Sequence, residues 1–316
     1  MRFNLKYIAV IIFFGILFTT ASYSCSVMFL CRDNLKIIGR NQDWNANNGS
    51  IKLHKKGVKK TTSLWGPAKK QKLIPATWTS KYNNIAFHSE MKQKGISIPI
   101  GGMNSKSLVI CQLYVNDDDT TNLAFQKTKT AIMASRWVGY CLDNYKSVDE
   151  IISNITKLKV INNFHAHWFA ADSSGNSAIF ETINGNLVVS YGQPLVPPCL
   201  TNHTYETSCS ELKQYKDFGG NKNIPDGHKS MERFVRGAYL LKKYKNEPPI
   251  KYMFSLMHKV RRPANVDTPT KWSTVYDLKN KIIYYRKLHD NKYRKIIFME
   301  AEKKPNNTVL GEINIK

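Results

Sequence analysis

The stretch that decides the fold is residues 25–44, CSVMFLCRDNLKIIGRNQDW. It contains two short apolar runs joined by a polar turn at residues 32–34. Two such runs around a polar turn are typical of a β-hairpin. The hairpin would start at Cys25, and its second strand would return Arg40 and Asp43 toward that cysteine.

The residues before Cys25 have the order of a secretory signal peptide. A basic start is followed by an apolar run over residues 7–18 and then by small residues, with Ser22 and Ser24 at the two positions that signal peptidase reads. The run is too short to span a bilayer comfortably. We predict that residues 1–24 are removed, that the chain is exported to the periplasm or secreted, and that Cys25 becomes the first residue. The alternative is a lipoprotein with lipid on Cys25, although Ser22 stands where lipoprotein signals normally have Leu.

Composition predicts one large enzyme-sized domain over residues 25–316. Of the 316 residues, 42% are hydrophobic, which is enough for an extensive core. The net charge is +24, and the basic residues are spread along the chain rather than gathered in one motif. Such a surface attracts anionic surfaces without sequence specificity, so no specific nucleic-acid partner is expected.

The six cysteines do not have the close spacing of a zinc site, and we expect no metal and no cofactor. Export would place the cysteines in an oxidising compartment, where pairing can occur. A free catalytic Cys25 leaves five others, so at least one more should stay reduced. Cys199 and Cys209 flank a predicted loop and are the first pair to test.

The apolar patterns along the rest of the chain predict an α+β fold of layers rather than a parallel doubly wound one. Spacing of apolar residues predicts helices over residues 122–145 and 230–244. Ser147 and Glu150 form a capping box for a further helix. Strands are predicted over residues 84–88, 107–115, 166–171, 178–182, 186–191, 274–276, 282–285 and 296–299.

An N-terminal cysteine would carry its own base, because its α-amino group lies within reach of its thiol. Free α-amines titrate near pH 7.7 to 8 and thiols near 8.5, so the amine can take the thiol proton at about neutral pH. A carboxylate at Asp43 could hold the amine, and a guanidinium at Arg40 could lower the thiol pKa. From these residues alone, an ordinary strand cysteine beside a surface Arg/Asp turn remains the alternative.

The combination of Cys25, Arg40, Asp43 and Trp44 resembles the choloylglycine hydrolase group of linear amide C–N hydrolases, which includes penicillin V acylases and conjugated bile-salt hydrolases. The spacing is slightly tighter than in the better-known members, which predicts a short hairpin turn. Four later segments also match in order: residues 102–108 (GMNSKSL), 200–202 (LTN), 230–236 (SMERFVR) and 272–277 (WSTVYD). The first departs from the family motif at Ser107, where a glycine is usual.

The resemblance implies the N-terminal nucleophile hydrolase fold, an αββα sandwich of two stacked, mainly antiparallel sheets between helix layers. It also implies a thioester mechanism in which an oxyanion is held by the Asn202 side chain and the Tyr114 backbone N–H, while the charged groups orient the amine and stabilise charge. The site residues implied are Cys25, Arg40, Asp43, Tyr114, Asn202 and Arg233.

The expected partner is a small-molecule amide substrate. Tyr114 resembles the penicillin V acylase side of the family. The short stretch between Asn202 and Arg233 resembles the branch that acts on penicillin V or long-chain N-acyl homoserine lactones, and conjugated bile salts remain open. The short stretch weakens the case for a tetramer, and a homo-oligomer is left open. An alternative function, from a different class, is an exported basic surface-binding protein or lipoprotein that keeps the fold without activity. A papain-like protease is less favoured, because no local signature of one surrounds any cysteine.

Overall fold

We describe a computed structural model of the chain over residues 24–43, 48–65, 67–91, 95–115, 128–161 and 165–314. Of the predicted signal peptide, only Ser24 falls within these ranges, and Trp44 lies outside them. None of the helices in the described ranges is both long enough and apolar enough to cross a membrane.

The strands, in chain order, are β1 (Ser24–Arg32), β2 (Leu35–Asp43), β3 (Asn48–His54), β4 (Lys59–Thr61), β5 (Ile74–Pro75), β6 (Thr77–Thr79), β7 (Asn84–Met91), β8 (Ile96–Asn104), β9 (Val109–Tyr114), β10 (Thr130–Met133), β11 (Lys159–Ile161), β12 (Ala166–Ala171), β13 (Ser177–Ile183), β14 (Asn186–Gly192), β15 (Cys199–Leu200), β16 (Thr270–Asp277), β17 (Ile282–Lys287), β18 (Arg294–Ile297) and β19 (Val309–Asn314). The helices are α1 (Pro67–Lys70), α2 (Ala134–Asn144), α3 (Val148–Asn154), α4 (Tyr205–Leu212), α5 (Ser230–Lys243), α6 (Pro249–Lys259) and α7 (Phe298–Ala301), with a 3₁₀ turn at Ile155–Lys157.

Two antiparallel sheets form the centre of the molecule. The first has six strands in the order β15-β1-β2-β16-β17-β18, and the second has eight in the order β14-β13-β12-β9-β8-β7-β3-β19. Apolar side chains from both sheets fill the space between them, as where Phe29 meets Phe169 edge-on with ring centroids 6.4 Å apart. This packing confirms the expectation of two stacked sheets.

Helices cover the outer face of each sheet. On the six-stranded sheet, α5 comes so close to β1 that any side chain at Gly237 would collide with Met28. On the eight-stranded sheet, Trp137 of α2 packs against Trp168, with ring centroids 4.7 Å apart. The αββα order predicted from the family resemblance is therefore confirmed.

The predicted hairpin is present, and it begins at the expected place. Strands β1 and β2 pair along their whole length, with Cys25 opposite Gln42 and Ser24 opposite Asp43. The chain reverses at Asp33, whose φ of 43° is in the left-handed region that Asp tolerates better than most residues. The short turn explains the tight spacing between the cysteine and the Arg/Asp motif.

Two predictions of secondary structure were wrong. Within the predicted helix 122–145, the described part begins as strand β10, which pairs in parallel with β5 and β11, and the helix starts only at Ala134. Phe298 and Met299 belong to α7 and do not continue β18. Both errors have the same cause, because a short apolar run has no periodicity that separates a strand from a helix.

Several smaller expectations can be compared directly with the structure. The Ser147 side chain accepts a hydrogen bond from Glu150 N at 3.2 Å, as a capping box requires, but the Glu150 carboxylate accepts from Lys146 N rather than from Ser147 N. Ser107 has a φ of 62°. This left-handed conformation favours glycine, which the family motif has at that position. All six cysteines are free thiols, so Cys199 and Cys209 are not bridged.

Candidate active site

The Cys25 thiol lies at the start of β1, on the face that packs against the second sheet. It is buried, and Arg40 and Gln42 of β2 extend from the same face. Arg40 spans the two sheets by donating to the carbonyls of Ile100 at 2.6 Å and Gln112 at 2.8 Å. The structure thus places the predicted guanidinium beside the predicted nucleophile.

Asp43 lies on the opposite face of the same strands, because successive side chains in a strand alternate. Its Oδ1 accepts a hydrogen bond from Thr270 at 2.6 Å. Its Oδ2 is buried, lies 3.6 Å from Arg233 Nη1 and has no hydrogen-bond partner in the described ranges. Arg233 also donates to the Cys25 carbonyl at 2.9 Å and to the hydroxyl of Ser24. One carboxylate oxygen beside the start of β1 therefore has an ion pair with Arg233 but no hydrogen-bond donor among the described residues.

Asn202 links the two sides of the site. Its Oδ1 accepts from the backbone N of Cys25 at 2.9 Å and from Arg233 Nη2 at 2.7 Å. Its Nδ2 donates to the carbonyl of Tyr114 at 2.6 Å. One side chain therefore contacts the nitrogen of the predicted nucleophile and the strand predicted to supply the oxyanion donor.

The backbone of Tyr114 points toward the Asn202 side chain. Tyr114 is opposite Ala166, and the adjacent bond from Val115 N to His165 O, at 2.7 Å, makes this a non-hydrogen-bonded pair. In such a pair the N–H and C=O groups point away from the partner strand. Because the Tyr114 carbonyl points to Asn202, its N–H lies on that side too. All six predicted site residues are thus in one region.

Burial dominates the protonation of the site. It raises the pKa of the Cys25 thiol, and the charge of Arg40 only partly opposes it. The expectation that a guanidinium lowers the thiol pKa is correct for Arg40 itself, but burial outweighs it while Ser24 is attached. Burial also raises the pKa of Asp43 to about 6, against the opposing charge of Arg233.

Sequence reasoning missed two groups that support the site. Gln42 contacts the nucleophile, and its position two residues after Arg40 in a predicted strand already placed both on one face. His167 is fully buried between Glu181, at 3.0 Å, and the carbonyl of Thr201, at 2.9 Å. It braces the peptide that precedes Asn202, and no local pattern in the sequence marks it.

Two antiparallel sheets between helices, with a buried cysteine at the head of an inner strand, define the fold of the N-terminal nucleophile hydrolases. Residues 25–308 match the family of linear amide C–N hydrolases called the choloylglycine hydrolase family. The chain belongs to this family.

Individual relatives are distant. A penicillin V acylase of Pectobacterium atrosepticum is 24% identical over 237 residues, which cover 64% of this chain and only 62% of that protein. The solved structure of penicillin V acylase from Agrobacterium tumefaciens superposes with a TM-score of 0.74 at 21% identity, covering 88% of this chain and 87% of the other. A mutant of the conjugated bile acid hydrolase from Clostridium perfringens has a TM-score of 0.71 at 19% identity, covering 88% and 93%. These structures establish a shared fold.

Proposed function

We propose that this chain is an exported amidohydrolase that uses an N-terminal Cys25 to cleave a linear carbon–nitrogen amide bond through a thioester. The observation that carries the proposal is the position of the Cys25 nitrogen, 2.9 Å from Asn202 Oδ1 and at the strand end where Asp43 Oδ2 has no hydrogen-bond donor among the described residues. The match to the family also begins at Cys25. An amine formed there would have its partners already in place.

Removal of Ser24 is the proposed activating step. While Ser24 is attached, the Cys25 nitrogen is an amide and cannot act as a base. The Ser24 hydroxyl also donates to Asn202 Oδ1 at 3.1 Å and accepts from Arg233. Cleavage would create the amine and leave Asn202 Oδ1, which already accepts from the Cys25 nitrogen, to hold it.

In the proposed reaction the α-amine of Cys25 takes the thiol proton, and the sulfur attacks the amide carbonyl. The amide of Asn202 has two N–H groups, and one of them donates to the Tyr114 carbonyl. The other, together with the Tyr114 backbone N–H, would hold the oxyanion, and each such donor is typically worth about 3 to 4 kcal/mol. The amine product leaves after protonation by the α-ammonium, and water activated by the same group then releases the acid.

Charge in the site supports these steps. Arg40 is buried, and its acceptors are neutral oxygens. It therefore keeps its charge available for the thiolate and for an anionic group of the substrate. Asp43 would orient the ammonium, and Arg233 would hold Asp43 and the Cys25 carbonyl in place.

The proposed substrates are penicillin V, long-chain N-acyl homoserine lactones or conjugated bile salts. The names of the relatives support penicillin V and conjugated bile salts. Tyr114 supports penicillin V, and the short stretch between Asn202 and Arg233 supports penicillin V or N-acyl homoserine lactones. To test this assignment, the mature chain starting at Cys25 is incubated with each substrate and the products are detected. The Cys25→Ala variant serves as the blank. Absence of hydrolysis of all three classes would contradict the substrate assignment.

Asn202→Ala should lower kcat by about 10²- to 10³-fold, because it removes one oxyanion donor. The matched variant Asn202→Asp keeps an acceptor for the Cys25 amine but loses the N–H donors, so it should be similarly slow. Steady-state kinetics on the mature chain measure both. An Asn202→Ala enzyme with unchanged kcat would remove this residue from the oxyanion hole.

Ionisation of Asp43 should give kcat/KM an acid limb. With Ser24 attached, burial raises the pKa of Asp43 to about 6, and the new ammonium would lower it from there. We expect kcat/KM to fall as the pH drops below 6, because protonated Asp43 no longer attracts the ammonium. Asp43→Asn should be slow and should lack this limb; if the limb persists in that variant, another group causes it.

The same carboxyl predicts a slope in stability. In a chain that starts at Ser24, folded Asp43 binds its proton more tightly than unfolded Asp43 does, since its pKa rises from 3.8 to about 6. The contribution of Asp43 to the free energy of unfolding should therefore fall as pH rises from 3.8 to 6, by up to about 3 kcal/mol. Urea unfolding at several pH values measures the slope, which Asp43→Asn should reduce. An equal slope in the unsubstituted chain and in the Asp43→Asn variant would contradict the assignment of this slope to Asp43.

A further inference from the structure

The Gln42 side chain contacts both the Cys25 thiol and the buried guanidinium of Arg40. It lies directly opposite Cys25 in the hairpin and is itself buried. Its Oε1 is 3.8 Å from the Cys25 sulfur, which donates to it, and 2.5 Å from Arg40 Nη2. Because a guanidinium can only donate, the amide atom that faces Arg40 is the oxygen. The same oxygen therefore serves the thiol and the cation.

Gln42 and Arg40 act on the Cys25 sulfur in opposite directions, while the charge of Asp43 raises the thiol pKa and that of Arg233 lowers it. An acceptor such as Gln42 Oε1 stabilises the protonated thiol and disfavours the thiolate. The positive charge of Arg40 favours the thiolate. Gln42 therefore offsets part of the effect of Arg40 without neutralising it, since an amide carries no net charge.

We propose that Gln42 is a catalytic residue that holds the Cys25 thiol protonated and oriented until the α-amine takes its proton. This inference rests on the proposed function of Cys25. In the step itself, the proton moves from the sulfur to the α-amino nitrogen, giving a thiolate and an ammonium. The S–H···O hydrogen bond to Gln42 is lost, Arg40 remains as the counter-charge, and no other bond changes.

A glutamine suits this position for physical reasons. A glutamate would pair with Arg40 and cancel the charge that the thiolate needs. An apolar side chain would leave one N–H of the buried Arg40 without its acceptor and would let the thiol ionise more easily. Only a neutral acceptor satisfies Arg40 and still restrains the thiol.

Two near-isosteric variants test the proposal by shifts of opposite sign. Alkylation of Cys25 by iodoacetamide is followed against pH, and the Cys25 peptide is quantified by mass spectrometry. Gln42→Met removes the acceptor and should move the alkylation midpoint down by about one pH unit, whereas Gln42→Glu places an anion beside the sulfur and should move it up by about one to three. If Gln42 had only a structural role, the two variants would not shift the alkylation midpoint in opposite directions.

The exposed Gln214 provides matched controls, because Gln214→Met and Gln214→Glu should leave the midpoint unchanged. Alkylation of Cys31, on the same strand and distinguished from Cys25 by fragmentation of the peptide they share, is the internal reference in each digest. Gln42→Asn keeps the amide but shortens its reach, so it should shift the midpoint in the same direction as Gln42→Met. Shifts of the same sign for Met and Glu, or no shift in either, would overturn the proposal.

The readout also separates this inference from the proposed function. Alkylation requires no substrate, so the midpoints can be measured whether or not the chain hydrolyses an amide. Opposite shifts without hydrolysis would refute the proposed activity and leave the role of Gln42 toward the thiol intact. Hydrolysis without opposite shifts would refute the role of Gln42 alone. In an active enzyme, both Gln42 variants should also lower kcat more than they change KM.

Discussion

Cys25→Ala is expected to reduce kcat/KM of the mature chain by about 10⁴-fold or more, as loss of a catalytic nucleophile does in other enzymes. The physical reason is that the thioester of the proposed mechanism forms on the Cys25 sulfur. The buried sulfur is small, so the fold should survive its removal with a modest loss of stability. Hydrolysis by the mature chain is measured with the substrate that the wild type cleaves fastest.

A second buried thiol provides the control. Cys141 lies in α2, in the layer on the outer side of the eight-stranded sheet, away from the candidate site. Cys141→Ala removes the same atom from an equally buried position and should leave kcat/KM close to that of the wild type. Cys25→Ser should keep at most a trace of activity through its hydroxyl. Full activity in Cys25→Ala would remove Cys25 from the mechanism.

Retention of a single residue before Cys25 should be almost as damaging, with a loss of at least about 10³-fold, because the proton acceptor is absent. A chain produced to start at Ser24 is compared with one that starts at Cys25. Intact mass verifies each N-terminus, and kinetics on the same substrate measure the effect. A lipid adduct on Cys25 in protein isolated from the producing cells would contradict the proposed activation.

In the chain that starts at Ser24 the base is missing, and the Ser24 side chain also occupies the site. One variant separates these two effects. Ser24→Gly in the extended chain removes the hydroxyl that contacts Asn202 and Arg233 but leaves the amide in place. We expect this chain to stay inactive, because an amide nitrogen is not a base. Recovery of activity in the extended Ser24→Gly chain would show that blockage by the side chain, rather than the missing amine, inhibits the precursor.

The local features of this protein could be predicted from its sequence because they depend on residues close together in the chain. The turn at Asp33 and the alternation along two short strands were enough to bring Arg40 and Asp43 back to Cys25. Helix α5 was predicted within one residue of its end, because its apolar spacing has the helical period. The family motifs added the order of the remaining site residues but not their geometry.

The tertiary structure alone decided how distant residues meet. Cys25 N and Asn202 are 177 residues apart, and their contact depends on how β15 and α5 pack beside β1. The same packing decided that residues 130–133 form a strand, because their partners β5 and β11 come from elsewhere in the chain. The sequence by itself determined the hairpin that starts at Cys25 and the faces of its strands, since turn residues and side-chain alternation are local. Which side chains surround the thiol was decided by long-range packing, because burial and hydrogen bonding between distant segments exist only in the folded chain.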